Sequence, residues 1–216
     1  VEIVLGSDFQ FSREYQFDVI KLAQESTINR GLRSMQEIAR DIEHATISQL
    51  WYPLMQIADI KHLKVDVALG GIEQRKVHML GRELNKTLNY NFIAMHTPLV
   101  TSLKGPGEKM SKSIPGSGIS VTDSYEEIKK AISNAYCPAN VVNDNPILQI
   151  TKLIIFPKLN KIVIERPAKF GGAVEFLDYS SLENSYKERK LHPLDLKNAV
   201  TEQLEKIIKP IRKNFK

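Results

Sequence analysis

The sequence predicts an α/β fold that is followed by a mainly helical tail. Two short apolar runs with strand character, residues 65–69 and 92–95, alternate with longer segments in which apolar residues recur at helical intervals. Alternation of this kind favours helices packed on a parallel sheet. Helical patterns dominate after residue 121, so we expect two domains, residues 1–121 and 122–216.

Each predicted element is defined by its apolar period and by the residues that bound it. In the first domain, strands are expected at residues 1–5, 65–69 and 92–95. Its helices are expected at residues 15–39, 47–60 and 72–84. In the second domain, helices are expected at residues 128–135, 146–155, 179–189 and 193–211, with an irregular segment at 156–176. Ser124 and Glu127 form a capping-box pattern, which supports the first of these helix starts.

The composition is that of an ordinary globular protein. Hydrophobic residues make up 42% of the 216 residues, and the formal net charge is +5. This mild positive charge permits a polyanionic partner without requiring one. No apolar run is long enough to cross a bilayer. The single cysteine, Cys137, excludes an internal disulfide and fits a reducing, cytoplasmic compartment. The five histidines show no metal-ligand spacing, so we expect no protein-bound metal.

A basic loop is the most informative local motif. Residues 109–113 read Lys-Met-Ser-Lys-Ser and follow Gly-Pro-Gly at residues 105–107, which is typical of a hinged loop. Two ammonium groups on such a loop suit a polyphosphate, because they can neutralise the charge that builds on a leaving pyrophosphate. A solvated basic surface loop is the alternative. The motif is not a Walker loop, since Lys109 is followed by Met110.

A polar stripe runs along the helix predicted at residues 47–60. Tyr52, Gln56 and Asp59 stand at positions i, i+4 and i+7 and therefore share one helix face. Such a stripe is either a solvent-facing surface or the wall of a pocket. The flanking Trp51 and Pro53, together with apolar neighbours, favour the pocket.

These motifs together resemble those of the archaeal and eukaryotic type of tyrosyl-tRNA synthetase, and residues 109–113 resemble the KMSKS signature of class I aminoacyl-tRNA synthetases. The blocks that carry the resemblance lie in the family's order at residues 52–76, 109–113, 135–138, 166–167, 169–172 and 191–199. The resemblance implies that residues 1–121 are the carboxyl-terminal part of a Rossmann-like catalytic domain. It also implies that residues 122–216 are a helical anticodon-binding domain.

The resemblance implies a tyrosine pocket. Asp59 would accept a hydrogen bond from the substrate phenol, whereas Tyr52, Gln56 and Gln74 would hold the ammonium and polar end. A buried carboxylate that needs a donor disfavours phenylalanine, because nothing would then satisfy it. A surface amide is the alternative interpretation of Gln74. The strand end that closes the pocket corresponds to Phe9 and Gln10.

The resemblance also implies ATP as a substrate. In the family, the tyrosine carboxylate attacks the α-phosphate and pyrophosphate leaves. Lys109 and Lys112 would stabilise that leaving group, and Mg²⁺ would accompany ATP, held by phosphate oxygens and water. The other residues assigned to this site are Ser111 and Ser113, as hydrogen-bond donors, and Gly70, Gly71 and Met110, at the nucleotide.

Transfer RNA for tyrosine is the implied macromolecular partner. Phe170 and His192 would flank the first anticodon base, and Asp195 would pair with a guanine edge. Alternatively, His192 is a plain helix start and Asp195 is an acidic residue that interacts favourably with the helix dipole. The resemblance further assigns Cys137 and Pro138 to shaping that pocket, and Arg33 and Arg75 to the acceptor stem.

One departure from the family is large, because the chain contains no HIGH-type motif. We therefore expect an upstream segment to be missing, and the 216 residues alone to be unable to form tyrosyl-adenylate. A homodimer is expected because such synthetases commonly pair. Tryptophanyl-tRNA synthetase and a non-catalytic tRNA-binding or scaffold module remain as alternatives, although the paired lysines favour the enzyme.

Overall fold

A computed structural model describes residues 1–37, 44–107, 110–111 and 114–215. The chain divides into two units with separate cores, Val1–Pro98 and Leu99–Lys216. The domain boundary predicted from the sequence lies near Val121. In the structure, the described residues of the range 99–121 belong to the second unit. Since the prediction concerns where a catalytic domain ends, and not which residues pack together, it stays a prediction.

In its described residues, the first unit contains two parallel strands and five α-helices, besides two short 3₁₀ turns. Its strands are β1 (Val67–Gly71) and β2 (Ile93–Thr97). Its helices are α1 (Arg13–Glu25), α2 (Ile28–Met35), α3 (Ile47–His62), α4 (Arg75–Glu83) and α5 (Asn85–Leu88). The parallel pairing of β1 with β2 confirms the predicted parallel sheet, and it sets Gly70 beside His96 at the carboxyl ends.

Two sequence predictions for this unit are wrong. Residues 1–5 form no strand, and their apolar side chains are exposed. The single helix expected at residues 15–39 is two helices, because Ser26 adopts an extended conformation and the Thr27 hydroxyl then caps α2 by accepting from the Arg30 amide. Local capping therefore overrides the continuous apolar period. Residue 39 lies outside the described residues.

The core of the first unit lies between α1, α3 and α4. Its buried side chains come from each of these helices and include Tyr15, Leu22, Ile57, Ala58 and Val77. An ion pair reinforces the α1–α3 contact, since the buried Asp18 carboxylate accepts from Lys61 Nζ at 2.6 Å and lies 3.0 Å from His62 Nε2. Burial by itself raises the pKa of Asp18. The hydrogen bonds from Lys61 and His62 and the nearby positive charges together lower it by more, so the net pKa shift is downward.

The second unit is mainly helical, as predicted. Its helices are α6 (Tyr125–Asn134), α7 (Pro146–Ile150), α8 (Phe156–Leu159), α9 (Tyr179–Lys187) and α10 (Pro193–Asn214), with a π-helical turn at Thr151–Ile155 between α7 and α8. The strands β3 (Ile162–Ile164) and β4 (Val174–Phe176) pair antiparallel. These strands and α8 occupy the segment that was expected to be irregular, because the three-residue runs are too short to show a period.

The long helix α10 organises the second core. It packs on α6 and β3 and buries Leu196, Val200 and Leu204 among residues of those elements. The capping box predicted at the start of α6 is confirmed, since the Ser124 amide donates to Glu127 Oε2 at 2.7 Å and the Glu127 amide donates to Ser124 Oγ at 3.3 Å. Within the described part of the chain, no helix is long and apolar enough to span a membrane.

We expect Leu22→Ala to lower the free energy of unfolding of the first unit by about 2–5 kcal/mol, because it leaves a cavity at a fully buried position. The matched control is Leu63→Ala, which truncates a leucine that is 41% exposed and should cost less than about 1 kcal/mol. Urea unfolding followed by the fluorescence of Trp51, the single tryptophan, reports on this unit. Equal losses in the two variants would contradict the assigned core.

Candidate active site

Polar side chains converge in the first unit where β1 and β2 end. In an open parallel sheet, ligands bind beyond the carboxyl ends of the strands. Gly70 and Gly71 end β1, and His96 lies near the end of β2. The polar face of α3 and the start of α4 supply the remaining groups.

Asp59 is held by two hydrogen bonds from residues far away in the sequence. Gln10 Nε2 donates to Asp59 Oδ1 at 2.9 Å, and the Tyr15 hydroxyl lies 2.8 Å from the same oxygen. Both contacts reach Oδ1, which leaves Oδ2 as the oxygen that can accept from a ligand. Asp59 is half-buried, so its free oxygen is not fully enclosed by protein.

The Tyr15 hydroxyl stays protonated over the ordinary pH range. Its side chain is fully buried, and burial together with the neighbouring Asp59 carboxylate raises the pKa of Tyr15 far above its usual value. A phenol in this state donates its proton to Asp59 Oδ1 and also lies 3.0 Å from the Met55 carbonyl oxygen. Tyr15 therefore fixes the position of the Asp59 carboxylate.

Gln56 begins a chain of polar contacts that leads through His78 to His96. Its Nε2 lies 3.4 Å from His78 Nε2, and His78 Nδ1 lies 3.0 Å from His96 Nε2. His78 is buried, and its ring packs edge-on against Phe92. Burial, followed by the neighbouring His96, lowers the pKa of His78, so this ring is neutral at pH 7. Gln56 Oε1 is buried and has no hydrogen-bond partner among the described residues.

Gln74 presents a second buried acceptor. Its Oε1 atom has no hydrogen-bond partner in the described part of the chain, whereas its Nε2 is 3.5 Å from Glu73 Oε1. Gln74 ends a short 3₁₀ turn that precedes α4, so the helix predicted from residue 72 begins at Arg75. Gly70 is needed beside it, because a Cβ atom there would lie 3.1 Å from Cβ and Cγ of Gln74.

The remaining predicted tyrosine-site residues lie at the edges of this region. Phe9 is half-buried and packs edge-on against Tyr15, at 5.6 Å between ring centroids. Phe9 and Gln10 follow a 3₁₀ turn at Gly6–Asp8, where the sequence predicted a strand end. Tyr52 is 47% exposed, so in this structure it faces solvent, although Gln56 and Asp59 on the same helix are half-buried.

The lysine loop belongs to the second unit and is described only in part. Lys109, Lys112 and Ser113 lie outside the described residues. The Met110 amide donates to the Val100 carbonyl at 3.1 Å. The fully buried Ser117 holds Ser111 on both sides, because its hydroxyl accepts from the Ser111 amide at 3.0 Å and donates to the Ser111 carbonyl at 2.6 Å. The residues between the two lysines are thus anchored to their own unit.

The predicted anticodon residues lie around the start of α10 and the loop before β4. Phe170 is 61% exposed. His192 is also exposed and caps α10, since its Nδ1 accepts from the Leu194 amide at 3.1 Å, which leaves Nε2 for another partner. Asp195 is in the first turn of the same helix. His192 therefore caps α10, and this role leaves its Nε2 atom able to contact a base.

Arg166 joins the two loops that carry these residues. Its Nε donates to the Gly172 carbonyl and its guanidinium also donates to the Lys190 carbonyl, each at 3.0 Å. Gly171 has a φ of +94°, a conformation that glycine adopts without strain, and it ends the turn that carries Phe170. The turn is thereby fixed relative to the chain that leads into α10.

Cys137 and Pro138, which were predicted to shape the anticodon pocket, both contact Tyr186. The Cys137 thiol is buried, 3.2 Å from the Tyr186 hydroxyl, and the same hydroxyl donates to the Pro138 carbonyl at 2.8 Å. Asn145 Nδ2 approaches the sulfur at 3.6 Å. The Tyr186 hydroxyl thus holds the backbone at Pro138, and the role of these residues at an RNA pocket stays a prediction.

Arg33 and Arg75 line one groove of about 300 Å³ between α2 and α4. Arg30 and Lys76 add two more positive charges, and Glu83 pairs with Arg30. The sequence separates Arg33 from Arg75 by a helix and a strand, and the fold brings them to the same surface. This groove is positively charged overall and suits a phosphate backbone.

Sequence reasoning missed three residues of the site, namely Tyr15, His78 and His96. Tyr15 was assigned only to a helix start, and its contact with Asp59 spans 44 residues. His96 could have been found, because it lies at the carboxyl end of a predicted parallel strand, where ligand-directed residues gather. His78 could have been found from its position one helical turn after Gln74. No described group of three or more His, Cys, Asp or Glu side chains could hold a metal ion.

The parallel strand pair, the two glycines that end β1 and the 3₁₀ turn before α4 define an α/β unit with polar side chains near the carboxyl end of its sheet. Comparison with known proteins gives the family. The model for tRNA synthetases class I (W and Y) matches residues 1–209. The chain belongs to this family of class I tRNA synthetases.

Individual relatives agree with this assignment. The chain is 50% identical to the tyrosine–tRNA ligase of Archaeoglobus fulgidus over 215 residues, which are 99% of this chain and 66% of that protein. It superimposes on the crystal structure of tyrosyl-tRNA synthetase complexed with L-tyrosine from the same organism with a TM-score of 0.89, covering 97% of this chain and 65% of that one. For the L-tyrosine complex of the Pyrococcus horikoshii synthetase the TM-score is 0.91 at 36% identity, covering 100% and 66% of the two chains. The chain thus spans about two thirds of the length of these relatives.

We expect Tyr15→Phe to lower the free energy of unfolding by about 1.5–3 kcal/mol, because the lost hydroxyl donates to a charged carboxylate. Tyr90→Phe is the matched control, since the Tyr90 hydroxyl donates to the neutral Val65 carbonyl, and it should cost about 0.5–1.5 kcal/mol. Both values can be measured by urea unfolding at pH 7 with Trp51 fluorescence. A Tyr15→Phe variant as stable as the parent would show that this phenol does not hold Asp59.

Proposed function

We propose that this chain carries the tyrosine pocket, the KMSKS loop and the anticodon-binding surface of a tyrosine–tRNA ligase. Such an enzyme activates tyrosine with ATP to tyrosyl-adenylate and then transfers the tyrosyl group to tRNA for tyrosine. The observation that carries the proposal is the Asp59 carboxylate, which is fixed by Gln10 and Tyr15 and keeps Oδ2 for a ligand. A phenol is a donor suited to that oxygen.

The opposite end of the pocket supports an amino acid as substrate. Gln56 Oε1 and Gln74 Oε1 are both buried acceptors without a partner among the described residues. An unsatisfied buried acceptor costs free energy, so a ligand that donates a hydrogen bond to either oxygen would be stabilised. An ammonium group has three donors and no acceptor, which suits amide oxygens that lack a donor. Tyrosine supplies a phenol at one end and an ammonium at the other.

ATP is the second substrate in this proposal. The tyrosine carboxylate attacks the α-phosphate, a new bond forms between that oxygen and phosphorus, and the bond to pyrophosphate breaks. Lys109 and Lys112 neutralise the charge that develops on pyrophosphate. The two hydrogen bonds between Ser117 and the Ser111 backbone support a defined position for Ser111, which lies between the two lysines. Mg²⁺ would be held by phosphate oxygens and water, and Gly70, Gly71 and Met110 would lie near the nucleotide.

Transfer RNA is the proposed third substrate. Phe170 is an exposed ring on a turn that Arg166 fixes, and His192 and Asp195 lie at the start of the same α10 helix. A splayed base can stack on the aromatic ring while Asp195 accepts from its edge. Arg33 and Arg75, which share one groove, are proposed to contact the acceptor stem.

We further propose that the protein works in the cytoplasm as a homodimer. Several large apolar side chains of the first unit are exposed, among them Phe11, Phe17 and Ile28. Exposed large apolar side chains are found at interfaces between subunits. The division into a catalytic domain at residues 1–121 and an anticodon-binding domain at 122–216 is proposed with the same function.

The central test is exchange of labelled pyrophosphate into ATP, measured with tyrosine and separately with tryptophan. We expect tyrosine-dependent exchange once the chain is joined to a segment that carries the HIGH-type motif, and no exchange by the 216 residues alone. Lys109→Ala and Lys112→Ala should each lower the exchange rate by about 10²–10³-fold, because each removes one charge from the leaving group.

The control for these variants is Lys158→Ala, which removes an exposed lysine on α8 and should leave the rate unchanged. Exchange that depends on tryptophan would identify the other specificity of the family. Absence of exchange with either amino acid in the joined protein would favour a non-catalytic module.

Phe170→Ala tests the RNA surface separately. We expect the KM for tRNA to rise about 5- to 150-fold, because a base stacked on an aromatic ring contributes about 1–3 kcal/mol. Pyrophosphate exchange should stay unchanged, since it needs no tRNA. Phe215→Ala removes a phenylalanine of similar exposure near the end of the chain and serves as control. An unchanged KM for tRNA in Phe170→Ala would exclude this ring from the interface.

A further inference from the structure

The contacts of His78 bear on how Gln56 presents its amide. The two ends of a glutamine amide have opposite chemistry, because the oxygen only accepts and the nitrogen only donates. In this structure the nitrogen, Nε2, is the atom that approaches His78, at 3.4 Å. The oxygen lies on the other side of the amide carbon, and it is buried without a partner among the described residues. The protein group that contacts one end of the Gln56 amide therefore decides which amide atom is left for the ligand.

The ring of His78 can fix this choice. A neutral imidazole has one donor and one acceptor nitrogen. If His78 Nε2 accepts from Gln56 Nε2, the ring proton is on Nδ1, and Nδ1 then donates to His96 Nε2 at 3.0 Å. In this direction each of the two contacts joins one donor to one acceptor. Burial favours the neutral ring that the arrangement needs.

The reverse direction is the competing arrangement. There His96 Nε2 donates to His78 Nδ1, and His78 Nε2 donates to the amide oxygen of a flipped Gln56. The flipped amide would direct its NH₂ group toward the ligand. An ammonium would then meet donors instead of an acceptor, and one hydrogen bond to a charged group would be lost.

We propose that His78, supported by His96, is a positioning residue that holds the Gln56 amide with its oxygen toward the ammonium group of the bound amino acid. This inference rests on the proposed function, because it assumes that tyrosine binds here. His78 touches neither substrate nor nucleotide in this proposal. It acts through Gln56, and its effect is confined to ligands that carry an ammonium group.

Two substitutions separate the two contacts of the imidazole. The amide of glutamine reaches as far as imidazole Nε2, so His78→Gln can still accept from Gln56. The amide of asparagine reaches only as far as Nδ1, so His78→Asn can still donate to His96 but loses Gln56. The variants are both polar and uncharged, and they differ in one methylene group.

The readout is the Kd for two ligands, tyrosine and 3-(4-hydroxyphenyl)propanoate, which lacks only the ammonium group. We expect His78→Asn to weaken tyrosine binding about 10- to 100-fold, the value of one hydrogen bond to a charged group. Binding of the propanoate should change less than about twofold, since it makes no such bond. His78→Gln should keep most of the affinity for tyrosine. The unchanged propanoate affinity also demonstrates that each variant is folded.

The outcomes distinguish the two levels of the proposal. If the unsubstituted protein, joined to the segment that carries the HIGH-type motif, binds neither ligand, the proposed function fails and this inference fails with it. If the parent binds both ligands but His78→Asn weakens them equally, or weakens neither, only the positioning role of His78 is overturned. The same ligand pair with His96→Leu and His96→Gln decides the question if substitutions at the buried His78 prevent folding. Selective loss for tyrosine in His96→Leu, with recovery in His96→Gln, would support the chain of contacts, and equal behaviour would overturn it.

Discussion

A half-buried carboxylate must receive hydrogen bonds, and this requirement at Asp59 organises the first unit. The donors come from the turn before α1, through Gln10, and from α1 itself, through Tyr15. A second carboxylate, Asp18, ties α1 to the end of α3 through Lys61 and His62. The position of the Asp59 carboxylate therefore depends on the packing of α1 against α3.

The proposed tyrosine site holds polar groups of two kinds. The Asp59 carboxylate is fixed by two donors and keeps Oδ2 for a ligand donor. Gln56 and Gln74 have buried amide oxygens that the described protein groups do not satisfy. Unsatisfied buried acceptors are costly, and under the proposed function a ligand with donors would satisfy them on binding. Selectivity would then come from polar groups that are positioned before the ligand arrives.

In the second unit, short local contacts fix functional residues on loops. Ser117 holds Ser111 from both sides, Arg166 bonds the carbonyls of two loops, and His192 caps the helix that carries Asp195. The anchors are a buried serine hydroxyl, a guanidinium and an imidazole, and each bonds backbone groups close to a predicted site residue.

The sequence by itself determined the α/β order, the polar face of α3, the capping box at Ser124 and the motifs that identify the family, because each of these is a local pattern. Only the tertiary structure decided that residues 1–5 form no strand, that Cys137 is buried, that Tyr15 contacts Asp59 and that His78 contacts Gln56. The Tyr15–Asp59 contact joins residues 44 positions apart, and the Gln56–His78 contact joins residues 22 apart. No residue period encodes such contacts, since they depend on how helices pack on one another.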